Sequence, residues 1–246
     1  MAKDAKSAFC EDSRVKFPTL MHLMGMGFKY VSLKGLKTKY VEAPKTEFDP
    51  LTNILTDYFT DAYCTLNPKA EKKDAEDMLV KIQKSLQNDD LGRQFYNEIL
   101  LNTGERIIDL SSSANFYRNN TFQVTTEMTC GSKDSDNYRP DITIFVNGLP
   151  LAFIEVKKEN NHKGIQAETD RMKQRFVNPQ YRRFLNITQI MVFSNDMEYD
   201  NNEVTPTIGA FYATIGKKNT KYNCYHYEGQ NSFPTARHIH QVTPEE

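Results

Sequence analysis

The chain has 246 residues, 39% of them hydrophobic, which is enough length and apolar content for an ordinary buried core. Lys and Arg (31) nearly balance Asp and Glu (32), giving a formal net charge of -1; this excludes a uniformly basic nucleic-acid-binding domain and leaves only local patches for a polyanion. No apolar run approaches the roughly 18 residues of a membrane span, and the opening residues MAKDAKSAFCEDSR lack the apolar segment of a secretory signal, so a cytoplasmic protein without membrane contact is expected. Cys10, Cys64, Cys130 and Cys224 are scattered without a CxxC pair and are expected to be reduced thiols.

In chain order, Val15, Phe17, Leu20, Leu23, Met24 and Phe28 recur at helical spacing until the glycines of Met24-Gly25-Met26-Gly27, after which Phe28 to Val31 reads as a strand. Asn53 to Tyr63 and Pro68 to Leu86 are predicted helices, the second with Pro68 near its first turn. Another helix is predicted over Gln94 to Leu100. Short β-rich runs follow at Arg106 to Leu110, Thr121 to Thr126, Asp141 to Val146 and Leu151 to Lys157. Gly164 to Phe176 reads as a charged amphipathic helix, and Thr188 to Phe193 and Gly209 to Ile215 as strands. The pattern predicts an α/β fold with a mixed central β-sheet flanked by helices.

No repeat or low-complexity tract divides the chain, and the most loop-like stretches are Gly131 to Asn137 and Met197 to Pro206. One domain over 1–246 is expected, with 1–105 as mainly helical cover, 106–216 as the α/β core and 217–246 as a C-terminal extension. The polar run to Glu246 closes no element, so a piece of a longer chain is expected.

The chemistry concentrates in Tyr138-Arg139-Pro140-Asp141-Ile142-Thr143-Ile144-Phe145-Val146-Asn147-Gly148-Leu149-Pro150-Leu151-Ala152-Phe153-Ile154-Glu155-Val156-Lys157. Two apolar runs flank Asn-Gly, a hairpin signal because both residues tolerate positive φ. Asp141 opens the first run; Glu155 and Lys157 close the second, so the hairpin brings the three together. Alternation puts Glu155 and Lys157 on one face and turns Ile154 and Val156 into packing. A two-residue loop would set Asp141 against Ile154, with the carboxylates on opposite faces. A three-residue loop, Asn147-Gly148-Leu149, would set Val146 against Pro150 and Asp141 against Glu155, and this odd loop is the prediction.

Two carboxylates so placed can hold Mg²⁺, a hard cation that takes oxygen ligands and is commonly completed by water and substrate phosphate. Such a metal lowers the pKa of a bound water and neutralises charge on a phosphate undergoing in-line displacement. Lys157, one pleat from Glu155, can orient or deprotonate the water and stabilise the phosphorus centre. The spacing therefore points to a PD-(D/E)xK site with Asp141, Glu155 and Lys157 as catalytic residues and Asp141 and Glu155 as metal ligands. A Glu-x-Lys triplet alone more often describes an ion pair at a sheet edge, and Glu71-Lys72-Lys73 repeats it on a predicted helix with no Pro-Asp strand upstream; the Pro-Asp strand and hairpin before Glu155 reverse that balance.

RPDITIFVNGLPLAFIEVKK resembles the nuclease segment of the R (restriction/translocation) subunit of type I restriction enzymes, in which a Pro-Asp strand, an Asn-Gly turn and a Glu-x-Lys strand recur in this order. Asn115-Phe116 with Thr121-Phe122-Gln123-Val124 is similar to that family's strand before the site, and Met26-Gly27-Phe28 to its opening glycine-aromatic element; the strand from Gln189 to Asn195 and Gly209-Ala210-Phe211 also match in character. The resemblance implies a restriction-endonuclease-like core and a hydrolase cutting double-stranded DNA within an ATP-dependent complex. It also implies methyltransferase and specificity subunits as partners, and ATP used only by motor domains outside this sequence. The family's Gln-x-x-x-Tyr pair does not carry over, because Gln166 is followed four residues on by Asp170.

Between Lys157 and Arg183, eight Lys or Arg stand against Glu159, Glu168 and Asp170. Arg171, Lys173 and Arg175 are accordingly candidate DNA contacts, against the plainer reading of a solvated helix face, and Gln166 is a further candidate because it starts the helix after the site. Asp134 and Asp136 read as turn residues, and Cys224-Tyr225-His226 and His238-Ile239-His240 lack the further ligands that a structural zinc needs. Two other functions stay open: a non-catalytic DNA-binding module that retains the nuclease fold, and another PD-(D/E)xK enzyme such as a resolvase or repair nuclease.

Overall fold

The computed structural model describes residues 15–37, 42–43, 45–102, 104–130, 138–157, 164–194, 210–214 and 223–224. Helix α1 (Phe17–Gly25) carries a proline in its first turn and ends where Gly27 takes φ +99°. There the amide of Phe28 bonds the carbonyl of Leu23, and that of Gly27 the carbonyl of Met24, a paired closure that only a residue free to adopt positive φ makes without strain. The chain then enters strand β1 (Lys29–Tyr30), and β2 (Leu36–Lys37) pairs with β3 (Glu42–Ala43) in a separate small ribbon.

Helices α2 (Thr56–Leu66) and α3 (Lys72–Ser85) follow. The second starts later than the sequence predicts: Pro68 lies in the turn that joins the helices, and the Asp74 carboxylate accepts the Glu71 amide to cap the true start. Glu71 of the Glu71-Lys72-Lys73 triplet is thus a cap residue. A π-helical turn spans Phe95–Leu100. Arg106 to Leu110, expected as a strand, is irregular. The side-chain amide of Asn120 takes both the N–H and the C=O of Asp109, and Asn147 donates to the carbonyl of Ile107, so side-chain amides replace a neighbouring strand. Ile107 and Ile108 are nonetheless buried, which is why the apolar run looks sheet-like in the sequence.

Asn115 and Phe116 belong to a short helix, α4 (Ser113–Asn119), capped by the Ser112 hydroxyl, rather than to the approach of a strand. After it come β4 (Phe122–Thr126), β5 (Ile142–Val146), β6 (Leu149–Val156), α5 (Gly164–Val177), a 3₁₀ turn at Pro179–Tyr181, α6 (Arg182–Ile187), β7 (Ile190–Ser194), β8 (Ala210–Thr214) and β9 (Asn223–Cys224). Their sheet runs β1-β4-β5-β6-β7-β8-β9. Strands β4 to β6 form an antiparallel meander, β6 and β7 are parallel across the α5–α6 crossover, and β8 returns antiparallel. Five longer strands, with two-residue strands at both edges, make a mixed sheet flanked by helices, the restriction-endonuclease-like α/β arrangement.

One sheet face is covered by α1, whose Leu20 packs with Val124, Ile142, Ile154 and Val156. The other is covered by α5 and α6, where Met172, Phe184 and Leu185 meet Phe153, Met191 and Phe193. Around the β5–β6 turn, α2, α3 and the π-helical turn close a third cluster that includes Phe59, Ile82, Phe95 and Leu149. Asn186 of α6 ties these parts together by donating to the carbonyls of Leu86 and Asn88. Among the described residues no helix is long and apolar enough to cross a membrane.

Candidate functional site

The hairpin that carries the Pro-Asp and Glu-x-Lys residues turns on Asn147 (φ 52°) and Gly148 (φ 76°), with Val146 paired directly to Leu149. The loop therefore has two residues, and the predicted three-residue loop is corrected. Its width is fixed from outside. The side-chain oxygen of Asn147 accepts the Thr121 amide at 2.7 Å, and its amide donates to the Ile107 carbonyl and to Asn120. Gly148 donates to the Gln123 side chain and accepts from Leu55, and a Cβ on it would lie 2.6 Å from the Leu55 carbonyl oxygen.

The odd residue sits instead inside β6. Phe145 pairs with Pro150 but Ile144 with Ala152, so Leu151 is a bulge, its carbonyl accepting the Gln189 amide. Beyond it Thr143 faces Phe153 and Ile142 faces Ile154. One step further, this register sets Asp141 opposite Glu155, the juxtaposition expected of the odd loop, reached by another device.

Asp141 lies just outside the ladder, with its Oδ2 accepting the Val156 amide at 2.9 Å. That bond holds its carboxylate against the Glu155–Val156 peptide, one peptide unit from the second acid. On β6, Glu155 is buried and Lys157 Nζ stands 4.0 Å from its Oε2. At Asp141, Lys16 Nζ stands 3.5 Å from Oδ1 and 3.3 Å from Glu127 Oε1, at the entry to α1. Each candidate ligand thus has an ammonium beside it, a compensation for negative charge held at a partly buried edge.

Behind Glu155, the Tyr138 ring meets Phe153 and Phe184 edge to face or nearly so, and the Arg175 guanidinium lies 3.8 Å from its centroid. Burial, reinforced by the Glu155 charge, pushes the Tyr138 phenol well above its usual range, and the Cys130 thiol is raised for the same two reasons. Both therefore back the site as neutral groups.

A divalent hard cation fits this donor set. Asp141 and Glu155 offer carboxylate oxygens from adjacent backbone positions, the hard donors such a cation takes.

Of the candidate DNA contacts, Arg171 is exposed on α5, whereas Arg175 is half-buried and turned inward onto Tyr138. Gln166 and Lys173 lie on α5, and their side chains fall outside the described residues, as do Asp134, Asp136, the Met197–Pro206 stretch, Tyr225, His226 and 238–240. Three neighbours of the site were missed in the sequence. Tyr138, three residues before Asp141, was the most detectable; Lys16 and Glu127 carry no local signal, because only the docking of α1 and a left-handed backbone at Glu127 (φ 53°) bring them to Asp141.

Comparison with curated proteins gives no match. The family model for the type I restriction enzyme R protein N terminus matches residues 9–204, well over half of the chain and including every element from α1 to β7. By that match, and by the fold just described, this chain belongs to the family of type I restriction enzyme R protein N-terminal regions.

Proposed function

We propose that the chain is a Mg²⁺-dependent endonuclease unit that hydrolyses phosphodiester bonds of double-stranded DNA as part of an ATP-dependent type I restriction-modification complex. The observation that carries this reading is the Asp141 carboxylate bonded to the Val156 amide beside Glu155, with Lys157 on the same strand end. Family membership supports a nuclease role in restriction; on this reading methyltransferase and specificity subunits are the partners, and ATP is consumed by motor domains of the complex.

Asp141 and Glu155 would hold the metal, which when bound supplies an acidified water and neutralises charge on the phosphate. Asp141 is kept in place by the Val156 amide, so its carboxylate needs little reorganisation. Lys157, with its side chain largely buried, is held close to Glu155 and within reach of a water on that carboxylate. As an ammonium it orients the water and offsets the charge that develops as the new P–O bond forms; the water's proton passes to solvent, and the leaving oxygen departs on the opposite side and takes a proton from solvent. Ile154 and Val156, buried under α1, fix the strand that carries both groups. Exposed Arg171 supports a backbone contact for the DNA.

The test is cleavage by the assembled complex carrying Asp141→Ala or Glu155→Ala. Losing a metal ligand removes several kcal/mol of transition-state stabilisation, so cutting should fall by at least about a thousandfold. Undiminished Mg²⁺-dependent cutting by either variant would remove the assignment.

A further inference from the structure

Lys16 stands at the entry to α1, and its ammonium lies between two carboxylates, 3.3 Å from Glu127 Oε1 and 3.5 Å from Asp141 Oδ1. This placement is built. Val15 and Leu20 pack against Val124, Ile142, Ile154 and Val156, so the start of α1 is anchored on the strands that carry the candidate ligands. Glu127 is held by a left-handed backbone (φ 53°), with its amide bonded to the Asp141 carbonyl. The Lys16 side chain is 12% exposed and that of Glu127 is 41%, so the pair runs from the partly buried ligand outward to solvent.

We propose that Lys16 is a positioning residue for the metal ligand, occupying Asp141 Oδ1 in the metal-free protein and withdrawing onto Glu127 when a divalent cation takes that oxygen. The inference rests on Asp141 being a metal ligand. A cation at bonding distance from Oδ1, about 2 Å, would stand within a few ångströms of an unmoved ammonium, and that repulsion is large at a partly buried site. Oδ2 offers no easy escape, because it already accepts the Val156 amide. Glu127 is the nearby partner that keeps Lys16 compensated after it leaves. Lys16 therefore weakens metal binding at rest and keeps Asp141 compensated without metal, while Glu127 acts on the metal only through Lys16.

The two residues consequently have opposite signatures. With Mn²⁺ titrated calorimetrically into the chain, Lys16→Met should tighten binding by about tenfold, and Lys16→Arg should stay near wild type. Glu127→Gln should weaken binding several-fold, because Lys16 then has a stronger claim on Asp141. The double variant Lys16→Met/Glu127→Gln should match Lys16→Met alone. Metal-free Lys16→Met should also melt below wild type and recover on adding Mn²⁺, which confirms that it folds. Unchanged or weaker binding by Lys16→Met overturns the proposal. A double variant weaker than Lys16→Met shows that Glu127 acts on the metal directly, as ligand or as charge, and overturns its role through Lys16. An Asp141→Asn control separates the two readings: if wild type and this variant bind equally, the metal assignment fails itself.

Discussion

The two ends of the β5–β6 hairpin, a few residues apart, are built on opposite principles. At the turn, Asn147 and Gly148 are enclosed by α2 and the 107–121 segment, and Asn147, Asn120 and Asp109 satisfy one another and the surrounding backbone through neutral amides and one carboxylate. At the open end, acids face ammoniums at 3.3 to 4.0 Å, and Asp141 has left the ladder to bind an amide with its side chain. The turn specifies the register, and the Leu151 bulge carries that register, shifted by one residue, to the charged end. Stability is concentrated where the chain is fixed, and charge where chemistry is expected.

The comparison breaks hardest at Gly148. An alanine there meets a positive φ and the backbone of Leu55 and Phe59 at 2.6 and 2.9 Å, neither of which can swing away. Gly148→Ala should cost on the order of 4 kcal/mol, read from urea unfolding of the chain. A loss below about 1 kcal/mol would show that the turn is not the rigid end.

At the open end the expected effect is on rate. Lys157→Ala should retain or tighten Mg²⁺ binding, since ammonium is not a metal ligand, yet cut DNA about a hundredfold more slowly or worse. Lys157→Arg keeps the charge as a planar, permanently protonated fork and should rescue poorly. Substantial rescue, measured as cleavage by the assembled complex at saturating Mg²⁺, would reduce Lys157 to a source of charge.

The smallest effect separates the ends by acid. Asp109 is held at about 2, first by the Ser111 hydroxyl and then by Asn119, below an ordinary value of 3.8. A carboxylate depressed in the fold contributes stability that is fully present above the unfolded value near 3.8 and is lost as pH falls through about 2. Stability of wild type and Asp109→Asn, compared across that window, should converge as pH falls. A constant difference would mean that Asp109 acts through shape and not through charge.

Much of this was legible in the sequence because it is local. Asn147-Gly148 announced the turn, the alternation of Ile154, Glu155 and Val156 announced the faces, and Gly27 announced the end of α1. Failures came where tertiary partners decided. Whether the loop held two or three residues depended on Asn120, Thr121 and Leu55, which lie far from the hairpin in sequence. Arg106 to Leu110 has a strand's composition, but its backbone is claimed by side-chain amides. Arg175 looked like a surface cation because its spacing matched the charged face of α5; its place over Tyr138 follows from a segment more than thirty residues upstream. Lys16 joined the site only through the packing of α1 on β4 to β6.

The most direct test of the metal site is an anomalous difference map from crystals of the chain grown with Mn²⁺. The predicted result is a peak about 2 Å from a carboxylate oxygen of both Asp141 and Glu155, with Lys16 moved off Asp141. Mn²⁺ bound elsewhere on the protein, with Asp141 keeping its Lys16 and Val156 contacts and Glu155 its Lys157 contact, would contradict it.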